Sequence, residues 1–351
     1  MNAIGWLQIG LYLVVLLALV KPLGWSMARV LDRRSCGLDR VFGSVERMIY
    51  RAAGTRATSE MPWRTYAMAA LAVSLIGCVV VYALQRLQGL LPANPQELGA
   101  VSPDSSFNTA VSFMTNTNWQ GYAGETTMSY LTQMLGLGVQ NFLSAATGIA
   151  VLIALVRGIA RTTHATIGNF WVDLTRSTLY ILLPLSILLA VALPSQGVPQ
   201  TFQPYHTVEL TEAIIAADGT QTTTQTIPLG PAASQIAIKQ LGTNCGGFFN
   251  TNSAHPLENP TPLSNFLQLL AILLIPAALC WTYGELVGDR RQGWALLLAM
   301  TVLFVALTVC CAAAEGRTNP VLVAIGADAG MGNMEGKETR LRYNQKLWMR
   351  T

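Results

Sequence analysis

The sequence predicts an all-α integral membrane protein with about six spans, organised as repeated units of span, re-entrant loop and span. Three observations predict this: the composition, six long apolar segments, and two uncharged loops that resemble each other. The chain has 351 residues, of which 52% are hydrophobic and 11% charged, whereas about a quarter of the residues in soluble domains are charged. This composition excludes an ordinary soluble domain.

Six segments are long and apolar enough to cross a bilayer, which takes about 20 residues of helix. We expect spans at residues 3–20, 66–91, 130–156, 171–193, 263–284 and 293–314. The first is not interpreted as a secretory signal, because no basic residue precedes Lys21 and no small-residue cleavage site follows. It is therefore kept as a span.

The basic residues alternate between loops in the way that a multi-pass topology requires. Nine Lys and Arg lie between Lys21 and Arg64, and none lies between Leu87 and Val156. By the positive-inside rule the first loop is cytoplasmic and the N-terminus external. The basic tail at residues 340–351 falls on the wrong side for this topology.

No basic stripe interleaved with aromatic residues is present, so nucleic acid is not an expected partner.

The first candidate site is the loop between the second and third predicted spans. Ser102 and Pro103 predict the start of a helix of about ten residues, too short to cross a bilayer. This helix runs into the polar, uncharged residues Thr115 to Gln120. Such backbone survives at membrane depth only where protein or a water-filled cavity satisfies its polar groups.

The loop before the fifth predicted span repeats this plan. Gly230 and Pro231 open the short segment PAASQIAIKQL, which runs into GTNCGGFFNTN at residues 242–252. Aligning residues 117–122 with residues 243–248 matches Thr, Asn and Gly, with an aromatic residue at the end. The sequence therefore contains an internal repeat.

The residue types in these loops favour cation binding. Backbone carbonyls can replace the hydration shell of a cation, Gly permits unusual backbone angles, and Thr and Asn brace neighbouring carbonyls. If the short helices descend from outside, their C-terminal, partially negative ends face the ion. This indicates a cation pathway without identifying the cation.

His255 has no second His or Cys at metal spacing, so we expect a loop histidine with a backbone partner.

Five segments carry a close resemblance to a known family: AVSFMTNTNWQGYAGETTMSY, QNFLSAATGIAV, LGTNCGGFFNTNSAHPLENPT, GELVGDRRQG and NMEGKE. In them the chain resembles KdpA, the family of potassium-binding subunits of Kdp-type potassium-transporting ATPases, from about residue 4 to Arg340. The resemblance implies units like those of potassium channel-like transporters, with four repeats, ten spans and four filter loops.

Partners and location also follow from the resemblance. It implies a bacterial cytoplasmic (inner) membrane protein that passes potassium to a P-type ATPase subunit (KdpB-like), with small KdpC-like and KdpF-like membrane subunits and the surrounding lipid as further partners. Potassium would be the transported ligand, and no cofactor is expected. The sequence has neither a GxxxxGK[ST] phosphate loop nor a DKTGT segment. Whether the chain counts as an enzyme is therefore open, since it would be a non-catalytic subunit.

The resemblance assigns the potassium filter residue by residue. It comprises Thr117, Asn118, Trp119 and Gln120 in the first loop, Thr243, Asn244, Cys245 and Gly246 in the second, and Gly336 in the third, within residues 333–338. The family's second loop normally reads TNGGG, so Cys245 replaces a glycine. Since Trp119 occupies the aligned place, we expect a modest perturbation.

The expected organisation has five parts. An N-terminal helix and cytoplasmic loop (1–64) precede a first repeat (65–157), a second repeat (158–286), an incomplete third repeat (287–340) and an aberrant tail (341–351). The fourth loop is missing, so we expect a truncated or frameshifted product. The alternatives are a potassium channel or transporter that works without ATP, and a subunit that carries no ion.

Overall fold

Helices make up nearly all of the regular structure. The computed structural model describes residues 3–161, 165–215, 221–250 and 252–315, and the single residues 317, 320 and 324. In chain order the elements are α1 (Ala3–Leu31), α2 (Asp39–Ala52), α3 (Trp63–Leu87), α4 (Pro103–Met114), α5 (Gly124–Thr127), α6 (Val139–Ala160), α7 (Phe170–Arg176), α8 (Leu183–Ala192), β1 (His206–Ile215), β2 (Gln221–Ile227), α9 (Ala232–Leu241), α10 (Pro262–Val287) and α11 (Arg290–Glu315).

Six helical stretches of the described residues are long and apolar enough to cross a membrane, which confirms the six predicted spans. They are Gly5–Leu31, Trp63–Leu90, Thr132–Ala160, Phe170–Gln196, Pro262–Val287 and Arg290–Glu315. Two of them contain a π-helical stretch: Thr132–Gly138 leads into α6, and Ser177–Leu182 joins α7 to α8. The chain is a multi-pass membrane protein.

The first span continues to Leu31, well beyond the predicted end at residue 20. Pro22 lies inside α1 and does not end it. Tertiary packing explains the extension, because α1 lies against α10. At the closest approach a Cβ on Gly24 would lie 2.6 Å from the carbonyl oxygen of Ala278, and Thr282 Oγ1 donates to the Gly24 carbonyl at 3.0 Å.

The order of spanning stretch, short helix and spanning stretch occurs twice, and in the second instance α8 belongs to the spanning stretch Phe170–Gln196. In the first instance α4 lies between α3 and α6, and in the second α9 lies between α8 and α10. The second short helix is the more enclosed one, since Ala232, Ala233, Ile236 and Ala237 on α9 are all buried in the core. This arrangement holds the segments that follow α4 and α9 inside the bundle.

The Arg-rich segments gather at one end of the molecule, as the charge pattern predicted. Arg157 at the end of α6 pairs with Asp173 on α7, and its Nη2 donates to the Leu31 carbonyl at 3.0 Å. Arg176 pairs with Glu46 on α2 at 2.9 Å. The loop at residues 21–64 and the segment between α6 and α7 therefore lie at the same end of the helix bundle.

One part of the chain departs from an all-helical fold. The Thr- and Gln-rich segment after α8 contains an antiparallel hairpin of β1 and β2. The described side chains of β2 are almost all exposed. Thr favours extended backbone, and pairing satisfies backbone groups without requiring an apolar face. The absence of apolar alternation is why the hairpin was not predicted.

Candidate functional site

Each of the two predicted filter loops begins where a short helix ends. After α4, the Asn118 N–H donates to the Ser112 carbonyl at 3.0 Å. After α9, the Asn244 N–H donates to the Lys239 carbonyl at 2.9 Å. Both loops therefore lie at the C-terminal, partially negative end of a helix dipole, which favours a cation.

The two aligned asparagines meet at a single residue of α6. Asn118 Nδ2 donates to Asn141 Oδ1 at 2.7 Å, and Asn244 Nδ2 donates to the same oxygen at 3.1 Å. All three side chains are buried. One amide oxygen thus fixes both loops and makes them approximately symmetric about Asn141.

The loops also contact each other directly. Asn116 Nδ2 donates to the Gly242 carbonyl at 3.1 Å. Gly246 lies so close to the first loop that a Cβ there would come within 1.9 Å of the Asn118 carbonyl oxygen and 2.4 Å of Gln120 Oε1. Glycine is therefore required at position 246 because there is no room for a Cβ, and not because of a positive φ.

The side chains of the aligned positions alternate in the same way. Thr117 and Thr243 are exposed, Asn118 and Asn244 are buried, and Trp119 and Cys245 are exposed. This shared pattern supports the alignment made from the sequence. The backbones are not identical, because positive φ occurs at Asn116 and Asn118 in the first loop and at Thr243 in the second.

Cys245 is accommodated without backbone strain. Among the described residues, those with positive φ do not include Cys245. Its side chain is exposed, as is that of Trp119 at the aligned place. A Cβ is tolerated at both positions, so the departure from glycine at residue 245 creates no clash comparable to the one that a Cβ would create at Gly246.

Further side chains brace the loops from outside. Ser144 Oγ on α6 donates to Asn116 Oδ1 at 2.6 Å, and Gln133 Nε2 donates to the Phe248 carbonyl at 3.2 Å. Asn250 Nδ2 donates to the Gln120 carbonyl at 3.1 Å. The first two bonds connect both loops to the stretch that contains the third span, and the third connects the two loops to each other.

Several oxygens in the site retain acceptor capacity. The buried atoms Asn118 Oδ1 and Asn244 Oδ1 accept no hydrogen bond within the part of the chain that the structure describes. Neither loop contains a carboxylate. Buried acceptors without a partner are costly unless water or a cation satisfies them. The site therefore offers neutral oxygen ligands of the kind that suit an alkali cation.

The sequence prediction missed Asn141, Ser144, Asn250 and Gln133, because their roles depend on contacts between distant segments. The only signal was that Asn141, Ser144 and Asn250 fall in motifs quoted for the family resemblance. Gly336 and the third loop, residues 333–338, lie outside the described residues.

His255 accepts a hydrogen bond from the backbone N–H of Leu257 at 3.2 Å and stacks on Phe249, as expected of a loop histidine.

Comparison with known proteins identifies the family. The family model described as potassium-transporting ATPase A subunit, KdpA, matches residues 10–350. Relatives named "potassium-transporting ATPase potassium-binding subunit" include one from Herpetosiphon aurantiacus, 63% identical over 97% of this chain and 60% of its own length. Another, from Sorangium cellulosum, is 62% identical over 99% of this chain and 61% of its own length.

The chain thus spans about 60% of the length of the curated relatives that it matches. Within that span the match is nearly continuous, and it includes both loops that meet at Asn141. The length of the family match and the level of identity agree with the resemblance seen in the motifs. The chain belongs to the KdpA family of potassium-transporting ATPase A subunits.

Proposed function

We propose that this chain binds potassium between its two filter loops as part of the potassium-binding subunit of an ATP-driven uptake complex. The observation that carries the proposal is the shared hydrogen bonding of Asn118 and Asn244 to Asn141. It holds two carboxylate-free loops face to face at the C-terminal ends of two helices. The named relatives support potassium as the ion.

The ligands in this proposal are the residues assigned from the sequence. Carbonyl and side-chain oxygens of Thr117, Asn118, Gln120, Thr243 and Asn244 surround the ion, while Trp119, Cys245 and Gly246 shape the loops. Neutral dipoles replace water around potassium and still release it, whereas a carboxylate would hold it more tightly. Gly336 contributes a third loop.

The proposed orientation places the filter on the external side. The Arg-rich end of the bundle faces the cytoplasm by the positive-inside rule, which puts the N-terminus outside. The filter lies near the opposite end of α6: Asn141 is sixteen residues from Arg157 on this helix, or about 24 Å at 1.5 Å per residue. Potassium therefore enters from the external side of a bacterial inner membrane.

The organisation proposed from the sequence fits this role. Residues 65–157 and 158–286 each supply one filter loop, residues 1–64 form the N-terminal helix and cytoplasmic loop, and residues 287–340 supply the third loop. ATP hydrolysis belongs to a separate P-type ATPase subunit, with small KdpC-like and KdpF-like subunits alongside.

Complementation of a potassium-uptake-deficient bacterium tests this function. Growth at micromolar potassium that requires the protein, the ATPase subunit and the two small subunits, and that stops when the ATPase is inactivated, would show ATP-driven uptake, whereas no growth would show a subunit that carries no ion. Growth that persists with an inactive ATPase would instead show an ATP-independent channel or transporter. Loss of growth on Gly246→Ala, with growth retained on Gly148→Ala, would place the activity at the filter.

A further inference from the structure

A buried ion pair lies directly beside the second filter loop. Lys239, in the last turn of α9, is 1% exposed, and Glu258, in the segment before α10, is fully buried. Lys239 Nζ donates to Glu258 Oε1. Neither residue belongs to the set of filter residues predicted from the sequence.

Lys239 contacts the filter loop in two ways. Its carbonyl accepts the Asn244 N–H at 2.9 Å. Its side-chain stem packs against Gly247, where a Cβ would lie 2.7 Å from Lys239 Cδ. The lysine therefore supports the loop residues on either side of Gly246.

Glu258 connects the pair to the neighbouring elements. Glu258 Oε1 also accepts from Ser253 Oγ at 2.9 Å, and Ser253 Oγ accepts from Gln240 Nε2 at 2.6 Å. The Glu258 carbonyl accepts from Gln268 Nε2 on α10 at 2.9 Å. A network of hydrogen bonds from α9 to α10 thus connects the segments on both sides of the second loop.

The first filter loop has no equivalent pair. The alignment that matches Thr117 with Thr243 places Phe113 opposite Lys239 and Thr132 opposite Glu258. Phe113 is buried and apolar at the matching place on α4. Of the two loops that the structure describes, only the second therefore has an ion pair of this kind behind it.

Stability alone is a weak reason for such a pair, because desolvating two charges offsets most of their attraction. An unpaired lysine beside a cation site would repel the ion, and an unpaired glutamate would bind it too strongly. Together they give a rigid support with no net charge. We propose that Lys239 and Glu258 are positioning residues that fix the second filter loop and thereby set potassium affinity and discrimination against sodium.

This inference rests on the proposed function, and Cys245 provides a readout for both. The thiol is exposed within the second loop, so a cationic methanethiosulfonate reagent can label it, and mass spectrometry can quantify that peptide alone. The labelling rate without potassium reports the position of the loop. The potassium and sodium concentrations that halve the rate report affinity and selectivity.

The experiment uses membranes from cells that express the full chain, carrying Lys239→Met, Glu258→Gln or both. Glu258→Gln leaves the lysine charge unpaired, so we expect the half-protecting potassium concentration to rise at least about tenfold. Lys239→Met leaves the glutamate unpaired, so we expect the half-protecting potassium concentration to fall. In both single variants the ratio of the half-protecting sodium concentration to the half-protecting potassium concentration falls, and labelling without potassium becomes faster. The double variant deviates less from wild type than either single variant, because no charge is left unpaired.

Arg157→Met is the matched control, since it breaks another buried ion pair on the far part of α6. It is expected to leave the three Cys245 readouts unchanged. If Lys239→Met destabilises the chain, Glu258→Gln supplies the same test with an isosteric side chain. Wild-type values in both single variants would overturn the inference. Absence of potassium protection in the wild-type chain would overturn the proposed function, while the labelling rate without potassium would still test the positioning role.

Discussion

At the scale of single residues, the site depends on one asparagine that local sequence does not reveal. The pairing of the two loops was predictable because Thr, Asn and Gly recur in both of them. Asn141 was not, since its side chain reaches those loops from another helix and a pairing between distant segments leaves no periodic signal. Sequence reasoning therefore found the two loops that meet in the structure but missed the residue that holds them together.

Replacing Asn141 tests this at the residue scale. Asn141→Ala removes the acceptor of Asn118 Nδ2 and Asn244 Nδ2, and each buried amide left without a partner costs about 1 kcal/mol or more. We expect at least about tenfold weaker potassium binding, measured by isothermal titration calorimetry. Ser144→Ala removes a bond to the first loop only and is expected to have a smaller effect. Equal, weak effects of both would contradict a central role for Asn141.

Gly246 provides a steric test. Gly246→Ala forces a methyl group against the Asn118 carbonyl oxygen, so one loop must move. We expect potassium binding to fall below detection while circular dichroism shows the same helix content. Gly148→Ala on α6, where a Cβ meets nothing within 4 Å, is the control and should bind normally. Normal binding by Gly246→Ala would show that the loops do not face each other as described.

The contact between the two Arg-rich segments titrates at acidic pH. The hydrogen bond from Thr166 Oγ1 is the main cause that lowers the pKa of Glu60, and Arg161, at 2.9 Å, adds to it against partial burial. A carboxyl whose pKa is lower in the folded state stabilises above its unfolded pKa, about 4.3, and loses this effect as pH falls through the folded value.

Thermal melts of Glu60→Gln in detergent measure this contribution. Because the pair is partly exposed, we expect a loss below about 1 kcal/mol at pH 7. The difference from wild type should disappear well below pH 4. A difference that grows on acidification would contradict the assignment.

At the scale of elements, the spans were predictable because bilayer thickness fixes the length of an apolar helix. The predictions failed where tertiary packing sets the end of a helix and where a strand has no apolar face. The end of α1 depends on packing against α10, and the hairpin of β1 and β2 has no apolar face to signal it. The helix α2 was not predicted, because its residues were assigned to a cytoplasmic loop. In the structure Glu46 on α2 pairs with Arg176.

Two glycines of α1 test the packing that extends this helix. A Cβ on Gly24 would lie 2.6 Å from both the Ala278 carbonyl oxygen and Trp281 Cβ, whereas a Cβ on Gly10 meets nothing within 4 Å. Gly24→Ala is expected to cost about 1–3 kcal/mol by overpacking, seen as a lower melting temperature in detergent. Gly10→Ala should be neutral or slightly stabilising. Equal melting temperatures would mean that α1 does not approach α10 this closely.

At the scale of the whole molecule, the structure describes two loops that meet, whereas the resemblance implies four filter loops. The chain spans about 60% of its relatives' length, and its third loop lies outside the described residues. What the two loops show is how a repeated unit becomes a site. Each of two short helices ends in a loop, the two loops share Asn141, and glycine at position 246 lets their backbones touch.

Locating a thallium ion, which substitutes for potassium and scatters anomalously, tests the central claim most directly. The account predicts an anomalous difference peak between the two loops, coordinated by oxygens of residues 117–120 and 243–246, that excess potassium displaces and excess sodium does not. A protein that binds thallium only elsewhere, or whose peak between the loops sodium displaces as readily as potassium, would contradict it.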